Sequence, residues 1–207
     1  FHNGRGMTAE DVKYSFERIL DPDLGALGNS ASYAGDIETV EVIDDYTVQI
    51  KLAKVNAPFL SNLSSNYCSI VCKEVVEESG DLLRADGGTG AYTLGEWVPD
   101  NMVSVNKFDE YFVEGEPQFD TIEFYVMTDA SARLAALRTG SVDVINADTS
   151  MLPLVANDAN INTIVYQSRN YSTLCLNTNV EYFQDVRVRQ AISLAINREE
   201  IIDMAYN

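Results

Sequence analysis

The stretch of the chain best suited to binding a small molecule is residues 166–171. Its side chains are two tyrosines, Tyr166 and Tyr171, with Gln167, Arg169 and Asn170 between them. Phenol, amide and guanidinium groups can hydrogen-bond a polar solute while the aromatic rings cover its apolar parts. By composition alone the stretch also fits an ordinary loop, so both interpretations stand at this point.

The chain has few residues suited to catalysis. The single histidine, His2, excludes a histidine-dependent triad or a multi-histidine metal site within this chain. Adjacent carboxylates can act as acid and base, and they occur at Asp44-Asp45, Glu77-Glu78 and Glu199-Glu200. Such neighbours in turns and on helices are more commonly solvated charge. We therefore predict no enzyme, no catalytic residue, no metal and no cofactor, and keep an acidic secreted hydrolase as the alternative class.

The size and charge of the chain limit the kinds of protein and partner that fit the sequence. The 207 residues are 46% apolar and 10% aromatic, which is enough to bury a core. There are 14 basic against 32 acidic residues, giving a net charge of −18. A chain this acidic repels phosphate backbones, so nucleic acid is not a predicted partner. No apolar run approaches the roughly 18 residues that a membrane-spanning helix needs.

The cysteines do not suggest a disulfide framework. Their number is odd, and Cys68 and Cys72 would lie about 13 Å apart on the strand that Ser69-Ile70-Val71 suggests. We interpret these two as buried thiols, while the redox state of all three, including Cys175, stays open.

Periodicity predicts mixed α and β structure in the first half of the chain. Apolar residues recur at helical spacing after Thr8, and Asp21-Pro22 ends that helix. Alternating residues predict a β-hairpin of 37–42 with 46–52, and a second of 91–98 with 102–106. Two short helices are predicted between the hairpins, one starting at Pro58 and one over 73–79. The glycine-rich loop at 87–90 that follows is interpreted as a flexible crossing between substructures.

The second half predicts more strands and helices. A strand at 121–126, a helix from Asp129 to Gly140 and a short buried strand at 142–145 suggest a strand–helix–strand unit. Strands are also expected at 161–166 and 173–176. Asp185 precedes another helix, and a further helical run begins at Glu199. The predicted class is α/β, with mixed sheets and flanking helices.

Five motifs in order resemble the family 5 extracellular solute-binding proteins of ABC transporters, which include dipeptide, oligopeptide and nickel binders. The resemblance runs over nearly the whole chain. Its motifs are Phe1-His2-Asn3-Gly4 with Met7-Thr8-Ala9-Glu10-Asp11-Val12, Gly88-Thr89-Gly90-Ala91-Tyr92, Tyr111 to Gly115 with Asp120-Thr121-Ile122, Arg133-Leu134 to Gly140-Ser141-Val142-Asp143, and Asn177-Thr178-Asn179 followed by Asp185 to Arg198. Ala91 and Phe112 replace the family's usual Pro and Trp.

The resemblance implies a fragment of a two-lobed, type II periplasmic-binding-protein fold. Residues 1–88 are then expected to be most of a small subdomain of lobe I, and residues 89–165 its α/β core. Residues 166–207 are expected to cross a hinge and enter lobe II. Both lobes would be incomplete, since a full family member is much longer than 207 residues.

The resemblance also implies a function without chemistry. The protein would capture a peptide between two closing lobes and deliver it to the membrane permease subunits of an ABC importer. It would be a monomer, located in the periplasm or anchored to the cell surface as a lipoprotein. Nickel chelate, haem or saccharide in the same scaffold are the alternatives. Because crossing strands border the cleft in this family, the expected ligand contacts are Tyr171 and Asn170, followed by Arg169, Asn177 and Tyr166. Asp185, Arg187 and Arg189 are instead assigned to the architecture of lobe II, and Asn177 has a structural turn as its alternative.

Overall fold

The computed structural model describes residues 1–24, 33–80, 82–166 and 172–206. It divides into two compact units, Phe1–Val126 and Met127–Asn207. These units are defined by internal packing, whereas the predicted boundaries at 88 and 165 concern the lobes of a complete protein. The three-part division therefore stays a prediction. None of the described helices is long and apolar enough to cross a membrane.

The described part of the first unit contains helices, five strands and two 3₁₀ turns. In chain order they are α1 (Ala9–Leu20), a 3₁₀ turn (Pro22–Leu24), β1 (Ile37–Asp44), β2 (Thr47–Leu52), α2 (Phe59–Asn62), a 3₁₀ turn (Asn66–Cys68), α3 (Lys73–Ser79), β3 (Tyr92–Val98), β4 (Met102–Lys107) and β5 (Thr121–Tyr125).

Helix α1 begins where the sequence predicts. Thr8 is its N-cap residue in an extended conformation, and the carboxylate of Asp11 accepts the backbone N–H of Thr8 at 2.9 Å. The acidic first turn, Glu10 and Asp11, also suits the positive end of the helix dipole. One side of the helix is buried, with Phe16 at its centre, so the helix is held by packing as well as by its cap.

The predicted first hairpin is confirmed and covers the core of this unit. Strands β1 and β2 pair antiparallel, with Val40 opposite Ile50. The buried side of β1 supplies Ile37 and Val40, which join Phe16 of α1 in one apolar cluster. The other buried members of that cluster are Ala34, Phe59 and Cys68.

The second predicted hairpin and the following strand form one antiparallel sheet of order β3-β4-β5. The pairing of β3 with β4 is irregular between Leu94 and Trp97. In this region a Cβ on Gly95 would lie 2.5 Å from Oγ of Ser104, so only glycine leaves room for that hydroxyl. Ser104 Oγ in turn accepts the Glu96 N–H at 2.8 Å, which satisfies a donor at the irregularity.

The described part of the second unit is helical. It contains α4 (Ala130–Thr139), a 3₁₀ turn (Thr149–Met151), α5 (Leu152–Val155), α6 (Glu181–Gln184), α7 (Val186–Ala195) and α8 (Arg198–Tyr206). Asp129 caps α4 by accepting the Ala132 N–H at 2.7 Å, and Gly140 ends it in the left-handed conformation, as predicted. A small core forms where α4 meets the next turn, from Leu134, Met151 and Val155.

Three strand predictions in the second unit are wrong. Residues 142–145, 161–166 and 173–176 form neither ladder nor bridge in the described structure. Val144, predicted to be buried, is 84% exposed. The backbone N–H and C=O groups of a strand must form hydrogen bonds with a neighbouring strand. No described segment pairs with these three, so alternation of side chains alone does not make them strands.

Two further expectations in the first unit are revised. Residues 69–71 are extended but not a strand, and they lead from the 3₁₀ turn into Cys72, the N-cap residue of α3. Cys68 and Cys72 are buried free thiols, as predicted. The glycine loop at 87–90 is not a loose crossing, because its carbonyls accept hydrogen bonds from the backbone N–H groups of Cys72 and His2.

Candidate functional site

The predicted ligand residues lie around a segment that the structure describes only in part. Arg169, Asn170 and Tyr171 fall outside the described residues, so their predicted contacts stay predictions. Tyr166 and Asn177 are described, and both are exposed. They belong to the two segments without helix or strand that flank residues 167–171 in the chain.

Asn177 lies in a tight turn that its own side chain stabilises. Its Oδ1 accepts the backbone N–H of Asn179 at 3.0 Å, and its carbonyl oxygen accepts that of Val180 at 3.1 Å. This is the local side-chain-to-backbone pattern that asparagine favours in turns. The Oδ1 atom of Asn177 therefore has the structural role that was the alternative prediction. A ligand would have to contact the side-chain NH₂ group of Asn177 instead.

The flanking segments present apolar surface beside these polar groups. Ile164 and Val165 are 79% and 77% exposed, Tyr166 is 77% exposed, and Leu174 is 64% exposed. Isolated exposed apolar residues are ordinary, whereas several along one short stretch suit contact with another surface or a ligand. Here the apolar side chains accompany phenol, amide and guanidinium groups in the sequence, which is the composition of a small-molecule site.

A hydrogen-bonded helix junction follows the segment. The carboxylate of Asp185 caps α7 by accepting the Arg187 N–H at 2.9 Å, which confirms its predicted role. The Arg187 side chain also donates to Asp185, at 2.6 Å from Nη2. Hydrogen bonds from the Arg187 side chain and backbone lower the pKa of Asp185, and the Asp185 side chain raises the pKa of Arg187.

Arg189 departs from the prediction of a surface or sheet-edge partner. It is partly buried, and its Nη1 donates to the carbonyl oxygens of Phe183 at 2.7 Å and Gln184 at 2.9 Å. Those carbonyls end the short helix α6, where helical partners are missing. Arg189 therefore fixes α6 to α7, a role that the sequence indicates only through the position of a cation after a helix end.

The first unit contains a partly buried ionic cluster, centred on the buried Asp11, that the sequence analysis missed. Asp11 is paired with Arg5, whose Nη1 donates to Oδ2 at 3.0 Å and whose Nη2 donates to Oδ1. Arg5 Nη2 also lies 2.8 Å from Oε2 of Glu74 and 3.5 Å from Sγ of Cys72. The Cys72 thiol donates to Glu74 at 3.2 Å and accepts from Asn3 at 3.3 Å. The cluster joins the N-terminal segment, α1 and α3.

Electrostatics at this cluster favour the charged forms. Burial opposes ionisation of Asp11, but hydrogen bonds from Arg5 and Thr8 and the charge of Arg5 outweigh it and lower the pKa of Asp11. The hydrogen bond to Asp11 is the largest cause that raises the pKa of Arg5. For Glu74, its own backbone N–H and the Cys72 thiol lower the pKa, helped by Arg5. These are the signs of a structural ion pair.

The carboxylate pairs considered for catalysis lie on exposed surface. Asp44-Asp45, Glu77-Glu78 and Glu199-Glu200 are all exposed. The pKa of Asp44 is lowered, chiefly by the Tyr46 backbone N–H, whereas a general acid needs a raised one. In the described ranges, three or more His, Cys, Asp or Glu side chains do not gather in an arrangement that could hold a metal ion.

Comparison with known proteins finds similarity over the whole length of the chain. A profile described as bacterial extracellular solute-binding proteins, family 5 Middle, matches residues 1–207. The chain is 31% identical to the dipeptide-binding protein of Escherichia coli (strain K12) over 222 residues, covering 100% of this chain and 41% of that relative.

Two solved structures of similar fold have a bound solute. NikZ from Campylobacter jejuni, in complex with Ni(L-His), has a TM-score of 0.77 at 27% identity, over 97% of this chain and 40% of NikZ. The periplasmic binding protein DppA from Helicobacter pylori, in complex with the peptide STSA, has a TM-score of 0.75 at 28% identity, over 97% of this chain and 42% of DppA.

The predicted fold class is confirmed by these similarities. The mixed sheets and flanking helices are those of part of a type II periplasmic-binding-protein fold. The chain spans about 41% of the length of the dipeptide-binding relative, so it corresponds to a part of such a protein. The match of the family profile to every residue leads to one conclusion: the chain belongs to the bacterial extracellular solute-binding proteins, family 5.

Proposed function

We propose that this chain is part of the solute-binding component of an ABC importer whose solute is a peptide. The observation that carries the proposal is the full-length family match, together with the peptide-binding names of the relatives. These include the dipeptide-binding protein of Escherichia coli and the DppA structure with the peptide STSA. Because the chain spans only about 41% of the dipeptide-binding relative, the activity is proposed for the protein that contains it.

The proposed mechanism is capture by closure. A solute that contacts both lobes stabilises the closed form relative to the open one, and hinge segments absorb the change in backbone angles. Tyr166, Arg169, Asn170, Tyr171 and Asn177 would supply the contacts from the crossing segments. The exposed apolar residues beside them, such as Ile164 and Val165, support a site that also covers side chains of a peptide.

The proposal includes the partners and the location. The closed, loaded protein would be recognised by the permease subunits of the transporter outside the cytoplasm, and it would act as a monomer. No bond of the solute is made or broken, so the chain would not be an enzyme.

A nickel chelate is the second candidate solute. NikZ with Ni(L-His) is as similar in fold to this chain as the peptide-bound DppA, with TM-scores of 0.77 and 0.75. A chelate brings its own metal ligands, so the protein would need polar and aromatic contacts rather than a cluster of metal-binding side chains. The tyrosines and amides of residues 166–177 suit either solute.

Isothermal titration calorimetry distinguishes the two solutes. The full natural protein containing this chain is titrated with dipeptides, with oligopeptides and with nickel–histidine. We expect saturable heat with at least one class of peptide and none with nickel–histidine. Tight binding of the chelate with no heat from any peptide would overturn the peptide proposal in favour of the second candidate.

Variants test the proposed contacts separately from the solute class. Replacing Tyr171 or Asn170 by alanine should weaken peptide binding by about tenfold or more, the usual effect of removing a buried polar or aromatic contact. Tyr46→Ala is the matched control, because Tyr46 is 86% exposed in the first unit. Equal affinity of Tyr171→Ala, Asn170→Ala and the control would remove these residues from the site.

A further inference from the structure

The single histidine of the chain is enclosed by hydrogen-bond acceptors. The His2 side chain is 6% exposed, its Nδ1 contacts the carboxylate Oδ1 of Asp86, and its Nε2 lies 2.8 Å from the carbonyl oxygen of Gly90. The ring packs edge-on against Phe108 at a centroid distance of 4.9 Å. Neither the proposed solute site nor the partly buried Arg5–Asp11 pair uses this contact.

The surroundings of His2 tie three parts of the first unit together. The backbone N–H of His2 donates to the carbonyl of Gly88 at 3.0 Å. The second carboxylate oxygen of Asp86 accepts the backbone N–H of Leu94, in β3, at 2.7 Å. His2 and Asp86 therefore connect the N-terminal segment with the glycine loop and with the strand that the loop enters.

Both ring nitrogens face groups that accept hydrogen bonds. A carbonyl oxygen has no proton to give, and a carboxylate accepts with both oxygens. An imidazole donates from both nitrogens only when it carries two protons, whereas the neutral ring has one donor and one acceptor. The neutral ring would thus place a nitrogen lone pair against an oxygen lone pair at one of the two contacts.

We propose that His2 is a proton-dependent strap that fastens the N-terminal segment to the loop at residues 86–90. With two protons, the ring holds Asp86 and Gly90 at once. When the ring loses one proton, one of these two hydrogen bonds is lost, and the loop that leads into β3 is held less firmly. The strap is therefore fully formed on the acid side and weakened as the pH rises.

One charged group contacts the ring in the described part of the first unit. Asp86 is the charged group in contact with it, and the loop otherwise offers the uncharged carbonyl of Gly90. Phe108 contributes an uncharged ring from the chain after β4. On the histidine's own segment, the Phe1 ammonium donates to the Arg5 carbonyl, and Arg5 pairs with Asp11 and Glu74. The charged group described against the ring is therefore a hydrogen-bond acceptor, like the carbonyl of Gly90.

A double-mutant cycle on the 207-residue chain measures the strap. His2→Phe keeps a ring against Phe108 but removes both donors, and Asp86→Asn removes the charge of the acceptor. The unfolding equilibrium of the wild type, both single variants and the double variant is measured at about pH 5.5 and about pH 8.5, on either side of the usual histidine range. Asp109→Asn is the matched control, since Asp109 is an exposed carboxylate of the same unit.

We expect the two residues to be coupled at the lower pH, by about tenfold in the folding equilibrium constant, as for a hydrogen bond to a charged group. The coupling should fall at the higher pH, and Asp109→Asn should show no coupling with His2→Phe at either pH. Equal coupling at both pH values, or none at the lower, would overturn the proposal.

Nuclear magnetic resonance provides a readout that does not need a folded variant. Because His2 is the only histidine, its two ring nitrogens give a single pair of histidine signals in the wild-type chain. We expect both nitrogens to be protonated at the lower pH, and one to lose its proton at the higher pH together with chemical-shift changes at Gly90 and Leu94. Shifts at Gly90 and Leu94 that do not follow the ring titration would contradict the strap.

Discussion

Replacing Asp11 by asparagine tests whether the partly buried Arg5–Asp11 ion pair stabilises the first unit. The Asp11 side chain is 4% exposed, and its carboxylate accepts from Arg5 and from the Thr8 backbone N–H. Asparagine has nearly the same shape but keeps one oxygen acceptor and no charge. The substitution therefore removes the charge and one of the accepting oxygens while leaving the size of the side chain unchanged.

The expected loss can be worked out from the exposure of the partner. Removing one member of a fully buried pair costs about 3–5 kcal/mol, because the remaining charge is stranded. Arg5 is not stranded, since its side chain is 32% exposed and Glu74 still lies 2.8 Å from Nη2. The loss is then closer to that of a charge-assisted hydrogen bond, about 2 kcal/mol of unfolding free energy.

Urea unfolding followed by tryptophan fluorescence is the assay. Trp97 is the only tryptophan and belongs to β3, so its emission reports on the first unit. Glu17→Gln is the control, because Glu17 pairs with Lys13 at 3.8 Å on the exposed side of α1, where a pair contributes less than about 0.5 kcal/mol. An Asp11→Asn variant as stable as the control would refute the structural role of the pair.

The pH dependence of the same difference follows from the pKa of Asp11. That pKa is lowered in the folded chain below the ordinary value of 3.8. A carboxyl with a depressed folded pKa contributes stability that is present above its unfolded value and is lost as the pH falls through the folded value. The gap between wild type and Asp11→Asn should therefore be constant above about pH 5 and should close below pH 3.8.

Three further substitutions test the packing and the helix junction. Phe16→Ala should cost about 3–5 kcal/mol of unfolding free energy in the same urea assay, because it empties the centre of the larger core. Gly95→Ala should cost about 1–3 kcal/mol, since its Cβ would lie 2.5 Å from Ser104 Oγ, while Gly6→Ala, with open space around its Cβ, should be neutral. Arg189→Gln should speed amide hydrogen exchange in α6 and leave α8 unchanged, because it releases two carbonyls at the end of α6.

The hairpins and the capped helices could be predicted because their signals are local. Asp44-Asp45 between two alternating segments, and Asp129 before a helix ended by Gly140, specify their structures within a few residues. The strand predictions at 142–145, 161–166 and 173–176 failed for the opposite reason. A strand depends on a neighbour elsewhere in the chain, which its own alternation does not reveal.

The buried contacts of the first unit were also beyond local patterns. Arg5 meets Cys72 across 67 positions, and His2 meets Asp86 across 84. For charged residues so far apart in the sequence, no periodic pattern indicates which residue is the partner. At the candidate site, the turn at Asn177 could be predicted because the asparagine side chain forms it locally. The solute contacts proposed for residues 166–171 stay predictions that the binding experiments test.

Small-angle X-ray scattering of the full natural protein, with and without a bound peptide, tests the proposed capture by closure most directly. A solute held between two lobes must draw them together, so we predict that the radius of gyration falls on saturation with a peptide that calorimetry shows to bind. A scattering curve that stays the same while the peptide is bound would contradict the two-lobed mechanism.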